Sequence, residues 1–342
     1  MFSFFIKRTF GWLLKIILFV NFIFTIGLLL SYLSVYFSPE KYTWLAFFGI
    51  SYPVFLSVNI LFFLLWFFLR SKYLFLPLIC IAIGYKFLAV YIPIKFTDKS
   101  INDKDSYKLL SYNVRLFDLY NWTGNKATRN KIFSFLEKEK ADIICFQEFY
   151  LRKGDNYFNT LDTMLTFLPN KFYAEAYTHI LKIGKQSFGL ATFSKYPIIK
   201  HFEINFGKDE TNNALATDIK INNDTLRVIN VHLASIRFQK ADYDFIGDAS
   251  SASNWKQNTF SEQKIIARLK SGFIERAKQS ETLAKHIQDS PYPTLVCGDF
   301  NDTPVSYCYQ TVSKNMIDAF VNCNSGIGKT YVGKIPFLRI YY

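Results

Sequence analysis

Pro293-Thr294-Leu295-Val296-Cys297-Gly298-Asp299-Phe300-Asn301-Asp302 is an apolar run that ends at a glycine and gives way to two carboxylates and an amide. A short run bounded by Pro on one side and Gly-Asp on the other reads as a buried strand. Its end delivers Asp299 and Asn301, and a carboxylate with an amide at a strand's end suits metal-assisted phosphoester chemistry. Taken alone, the pair is equally well an Asx turn after Gly298. Its weight comes from three earlier stretches of the same form, Ser111-Tyr112-Asn113, Phe146-Gln147-Glu148 and Asn230-Val231-His232-Leu233.

Each of these stretches closes an apolar run, so residues distant in sequence can meet at one rim of a sheet. Strands are expected over 108–114, 142–147, 188–194, 214–221, 225–231 and 294–297, each bounded by Asn, Asp, Gly or Pro. A helix is expected over 128–140, with Thr128 as its cap and Ile132, Phe135 and Leu136 on one face. A second helix runs through Ile265, Leu269, Phe273 and Leu283. Between His232 and that helix lies a polar stretch, 239–262, of a length that marks a functional flap over the site or a disordered segment. Short strands with interspersed helices and no internal repeat give an α+β, layered class.

The residue types fit a division of labour. Mg²⁺, with Mn²⁺ as its alternative, takes oxygen ligands from one or two carboxylates, substrate phosphate and water; Glu148 supplies a carboxylate and Asn113 a neutral oxygen. Asp299 can orient or deprotonate a water, while Asn301 and His232 can donate to phosphoryl oxygens. Singly, each residue has an ordinary explanation: Asn113 as a strand-end turn, Glu148 as a solvated carboxylate, His232 as a hydrogen-bonded core histidine.

The first 94 residues differ in kind from the rest. They hold seven basic residues and one acidic, Glu40, and three apolar stretches, 12–37, 44–69 and 74–94. Each meets the roughly 20 residues needed to cross a bilayer, so an integral, multi-pass anchor of two or three helices is expected, with Lys86 inside the third stretch deciding the number. Lys7 and Arg8 before the first stretch, with Lys15 near its start, and Arg70 and Lys72 after the second, mark cytoplasmic ends. With three crossings the remaining domain, 105–342, lies on the non-cytoplasmic side. The net charge of +13 suits anionic substrates or an anionic lipid surface, without the clustered Arg and Lys of a nucleic-acid groove. Cys145 and Cys297 read as buried hydrophobes, and Cys308 and Cys323 as a pair that an oxidising compartment could join.

In this order the motifs Ser-Tyr-Asn113-Val, Phe-Gln-Glu148, Asn-Val-His232-Leu and Gly-Asp299-Phe-Asn301-Asp resemble the endonuclease/exonuclease/phosphatase superfamily, with its DNase I-like fold, over residues 105–340. The resemblance implies a four-layer α/β/β/α sandwich behind the membrane helices, and Mg²⁺-dependent hydrolysis of phosphodiesters or phosphomonoesters. It makes Asn113 and Glu148 metal-site residues, His232 a phosphate contact, and Asp299 and Asn301 the water-activating and phosphate-stabilising pair. The substrate it implies is a lipid head group or nucleic acid; it implies no protein partner. The family also carries an Asp-Tyr strand and a Ser-Asp-His segment after Arg339-Ile340, which Tyr341-Tyr342 does not supply. A truncated, catalytically defective or noncatalytic membrane protein is therefore the alternative expectation.

Overall fold

A computed structural model of the chain describes residues 2–94, 106–155, 157–181, 185–207, 212–236, 259–328 and 330, which fall into two compact units. The first gathers the N-terminal helices with Leu269–Ala277 and the described residues after Asn301. Helix α1 (Phe2–Leu33) contains Gly11–Leu33, which is long and apolar enough to cross a membrane without help from another helix. Helices α2 (Pro39–Ile50) and α3 (Tyr52–Phe68) reach that length only as a pair bent by 47°. The same holds for Lys72–Ile83, which includes α4 (Phe75–Ile83), with α5 (Tyr85–Tyr91), bent by 65°. By length and composition the described residues thus hold one candidate span, or up to three if each bent pair is one span.

The breaks have local causes. Pro53, in the first turn of α3, has no N–H with which to continue the ladder of α2, and Gly84 separates α4 from α5. Lys86, the cation that burdened the third stretch, is exposed in the first turn after that break.

A buried polar clasp joins α1 to α3. Thr25 Oγ1 donates to Asn59 Oδ1 at 3.0 Å, and Trp66 Nε1 donates to Asn21 Oδ1 at 3.0 Å. Asn59 Nδ2 donates to the carbonyls of Phe24 and Phe55 at 3.0 and 2.8 Å. Interhelical bonds of this kind contribute about 0.6 to 1.7 kcal/mol each in an apolar surrounding. Asn59→Ala should therefore lower the melting temperature of the detergent-solubilised chain, by an amount corresponding to about 1–2 kcal/mol; an unchanged melt would mean the clasp is incidental. Val305 joins the same unit's core with Leu28, Tyr32 and Tyr52. Its carbonyl comes so close to Gly49 that an added Cβ would lie 2.8 Å from it and 2.5 Å from Ser34 Oγ, so only glycine fits there.

The second unit is built on two four-stranded sheets. In the first, β1 (Leu109–Asn113), β2 (Ile143–Arg152), β3 (Phe172–Leu181) and β4 (Gln186–Ser194) lie in the order β1-β2-β4-β3. In the second, β5 (Ile198–Asn205), β6 (Asn213–Ile221), β7 (Asp224–His232) and β8 (Thr294–Asp299) lie in chain order. Each sheet carries one parallel pair, β1 with β2 and β7 with β8; the other pairings are antiparallel.

Alternation along β2 sets the layers. Ile143 and Cys145 face the second sheet, where they meet Ile219, Ile221 and Val228. Ile144 and Phe146 face outward under α6 (Thr128–Glu139) and α7 (Thr160–Phe167), against Ile132, Phe133, Leu136 and Met164. A strand covered on both faces has to be a continuous apolar run, as Ile143 to Phe146 is. On the outer face of the second sheet lies α8 (Thr259–Gln288). Its His286 ring stands 6.2 Å from that of Phe202, and its Gln279 Oε1 accepts from Ala234 N at 2.8 Å. Helix, sheet, sheet and helix make the expected four-layer, mixed α/β arrangement.

Four expectations need correction or placement. Thr128 does not cap α6: Ala127 holds the cap position, and the Thr128 hydroxyl donates instead to the Asn125 carbonyl at 2.8 Å. Cys308, in α9 (Tyr307–Val312), and Cys323, in α10 (Ala319–Cys323), are both free thiols. Of the polar stretch 239–262, residues up to 258 lie outside those described and the last four open α8. Residues 331–342, on which the expected lack of the closing strands bears, also lie outside them.

Candidate active site

Both parallel pairs end at the same rim. Asn113 is the last residue of β1, and His232 and Asp299, the last residues of β7 and β8, are register partners. Glu148 sits where β2 breaks register with β4, between Phe146 and Phe149. Its φ of 52° places it in the left-handed region, the mark of a bulge that re-aims a side chain.

The four chains meet around the Asn113 amide. Its Nδ2 donates to Glu148 Oε1 at 3.1 Å and to Asp299 Oδ2 at 2.9 Å. Its Oδ1 accepts from Arg115 N at 2.9 Å. His232 Nε2 stands 4.0 Å from Glu148 Oε1. Asn301, with φ of 51°, folds back so that its N–H donates to Asp299 Oδ1 at 3.0 Å and its Nδ2 to the Leu233 carbonyl at 3.0 Å. All five residues singled out in the sequence are brought together: Asn113, His232 and Asp299 at strand ends, Asn301 two residues past one, and Glu148 at a bulge inside β2 and not at the strand end expected from the sequence.

Asp299 is only 5% exposed. Burial pushes its carboxyl above the ordinary aspartate value, against the opposing pull of His232 and of hydrogen bonds from Asn113 and the Asn301 backbone. Two carboxylates sharing one amide nitrogen leave a position between them that favours positive charge. Among the described residues no cluster of three or more His, Cys, Asp or Glu could hold a metal ion. Glu148 and Asp299 are nonetheless oxygen donors of the kind taken by a hard cation that keeps most of its water, and the Asn113 oxygen joins them once its amide turns it from Arg115 N toward the carboxylates.

Strain gathers at the same place. Of the eleven non-glycine residues with positive φ among those described, six are Glu148, Asn301 and the consecutive turn Arg115, Leu116, Phe117 and Asp118 that follows Asn113. Such conformations cost about 1–3 kcal/mol each and persist where the surroundings enforce them, most often at functional sites. Gly298 makes a different demand. At its φ of 143° an added Cβ would lie 2.0 Å from the Val231 carbonyl oxygen, across the β7–β8 pairing. Gly298→Ala should therefore separate those strands and lower the melting temperature, by an amount corresponding to at least about 1–3 kcal/mol. A melt equal to that of the unmodified chain would contradict the close approach.

Sequence reasoning missed the support beneath the site. Gln147 and Asn230, both fully buried, join the two sheets directly: Gln147 Nε2 donates to Asn230 Oδ1 at 2.7 Å. Asn230 Nδ2 in turn donates to the carbonyls of Phe146 and Ala191 at 3.0 and 3.2 Å. The available signal was an amide inside each of two apolar runs. Also missed was a cavity of about 330 Å³ bordered by Glu148 and His232 and walled by Leu116, Phe188, His179 and Asn213.

Comparison with known proteins places this geometry. A family model described as "Endonuclease/Exonuclease/phosphatase family" matches residues 110–318, a span that contains all five site residues. A second, described as "Domain of unknown function (DUF8431)", matches residues 14–91. No curated protein matches the chain. Among solved structures, the endonuclease/exonuclease/phosphatase from Beutenbergia cavernae DSM 12333 is 12% identical, with 61% of this chain and 52% of that chain covered and a TM-score of 0.41. Sphingomyelinase C from Streptomyces griseocarneus is 14% identical, with 61% and 69% covered and a TM-score of 0.39. The endonuclease/exonuclease/phosphatase family protein from Leptotrichia buccalis C-1013-b is 13% identical, with 61% and 74% covered and a TM-score of 0.36. The chain spans about half the length of the first of these.

Proposed function

Because the chain belongs to the endonuclease/exonuclease/phosphatase family, we propose that it is a membrane-anchored, Mg²⁺-dependent phosphoester hydrolase. The observation that carries this reading is the meeting of Asn113, Glu148 and Asp299 at one amide nitrogen, with His232 beside them. Glu148 and Asn113 would hold the cation, which when bound draws charge from the phosphoryl group and lowers the barrier to attack on phosphorus. Asp299 accepts the proton of the attacking water, a task helped by a carboxyl raised toward working pH. Asn301 keeps Asp299 in place through its backbone N–H, and the second hydrogen on its Nδ2 is directed at the phosphoryl oxygens. His232 donates to another of those oxygens.

Hydrolysis of bis(p-nitrophenyl) phosphate by the full chain in detergent, with Mg²⁺ and with EDTA, tests the reading. Turnover that depends on Mg²⁺ supports it. Absence of turnover on this and on a panel of phosphomonoesters would sink it.

The substrate in this reading is a phosphoester held near a bilayer, a lipid head group. Support comes from the apolar N-terminal helices and the mild basic surplus. Affinity for single-stranded DNA that falls steeply with salt would favour nucleic acid instead. The anchor crosses the membrane three times, with the hydrolase on the non-cytoplasmic side, as the basic residues flanking the apolar stretches suggest. Protease digestion of intact cells would reverse that orientation if the domain survived untouched until lysis.

A further inference from the structure

Asn213 opens β6 and is the register partner of His232 in β7. Residues directly opposite in an antiparallel pair project to the same face, and both line the cavity beside Glu148. Asn213 is only 6% exposed, and its amide nitrogen has no hydrogen-bond partner. Its neighbour Asn212 is engaged differently, with Nδ2 donating to the His232 carbonyl at 3.0 Å, so the end of β6 holds β7 with one amide and leaves the other for the cavity. Buried donors in folded proteins are nearly always paired, and an exception at a site points to a missing ligand.

The chemistry of the cavity says which ligand. Among the described residues that line it there is no lysine or arginine, and Glu148 is its carboxylate. An anion entering beside Glu148 meets the His232 ring and the Asn213 amide, donors that stand opposite each other in the β6–β7 pairing. Rotation about the last side-chain torsion exchanges the oxygen and nitrogen of a carboxamide, so Asn213 can turn an N–H toward whichever oxygen arrives. Leu116 and Phe188 offer no polar group, so the anionic part of the ligand belongs at the Asn213–His232 end.

We propose that Asn213 is a further substrate-contacting residue, donating its amide N–H to a non-bridging oxygen of a phosphoryl group seated beside Glu148 and His232. The assignment rests on the hydrolase reading for the identity of the anion. It adds a residue on β6 that none of the sequence motifs includes.

The test uses the full chain in detergent with Mg²⁺, as wild type, Asn213→Ala and Asn213→Asp. Two readouts are taken on each: inorganic phosphate affinity by calorimetry, and kcat and KM on bis(p-nitrophenyl) phosphate. A hydrogen bond to a charged oxygen predicts a loss of about 10- to 100-fold in phosphate affinity and in kcat/KM for Asn213→Ala. Asn213→Asp loses more, because it sets a carboxylate against the phosphate. Melting without phosphate separates contact from scaffolding: Asn213→Ala removes an unpaired donor and leaves the melting temperature unchanged or raised, whereas a structural role lowers it. Wild-type phosphate affinity in Asn213→Ala overturns the assignment, as does a lowered melting temperature with that affinity retained. Phosphate bound by the wild type without ester turnover defeats the hydrolase reading alone, and Asn213 is then judged on phosphate affinity. Ester turnover unaffected by either substitution defeats the Asn213 assignment alone. A wild type that binds neither phosphate nor ester defeats both.

Discussion

Asp299→Asn is expected to lower kcat/KM on a phosphodiester by about 10²- to 10⁴-fold, the usual contribution of one positioned acid or base. The substitution preserves size and can still accept the Asn301 N–H, so the strand end and its turn should persist while the proton acceptor is lost. The carboxyl's raised pKa gives a second, independent signature. Its protonated form is favoured in the folded state, so its contribution to stability is fully present below the unfolded value and is lost as pH rises through the folded one. In EDTA, the melting temperature of Asp299→Asn relative to wild type should therefore climb as pH rises through and beyond the ordinary aspartate range. The acid limb of the wild-type kcat/KM profile should lie above that range as well. Unchanged turnover in Asp299→Asn would remove the residue from the chemistry. A pH-independent difference in melting would remove the argument from burial.

What the sequence revealed and what it hid follow from the range over which each signal acts. The ends of β1, β7 and β8 were readable because an apolar run that stops at a polar residue is a local pattern. The bulge at Glu148 was not readable, since the expected strand 142–147 stops before Glu148, whereas β2 continues to Arg152 with its register against β4 broken there. Strands β3 and β5 escaped notice for a related reason. Their exposed faces carry Tyr173, His179, Lys200 and Glu203 among apolar neighbours, so neither shows a clean apolar run. Helix α7 is only eight residues long, too short for a helical period to stand out. Hydropathy marked the three N-terminal stretches but not the bends in two of them, which rest on one proline and one glycine. Asn213 lay next to an expected strand and carried no motif. Its interest arises only when β6 is paired with β7, which buries its amide beside His232 without a hydrogen-bond partner for the nitrogen.

Asp218→Ala should cost about 3–5 kcal/mol of stability, the range for removing one partner of a buried ion pair. Arg227 Nε and Nη2 donate to the two Asp218 oxygens at 2.7 and 2.8 Å, with both side chains almost entirely enclosed. Its guanidinium also lies 5.0 Å from the Phe202 ring centroid and 5.7 Å from that of Tyr292. Deleting the carboxylate leaves a cation that cannot discard its proton among aromatic rings and strands. Replacing both partners with apolar side chains of similar volume removes the stranded charge, so the Asp218→Leu, Arg227→Met double variant should recover most of the loss. The pair lies well down the β6–β7 ladder from the Asn213–His232 rung. Below its melting temperature, Asp218→Ala should accordingly keep the wild-type kcat/KM, in contrast to Asp299→Asn. A double variant no more stable than Asp218→Ala would mean that the bidentate geometry itself, and not the unpaired charge, sets the cost. A fall in kcat/KM with the fold intact would mean that strain in the second sheet reaches His232 along its strand.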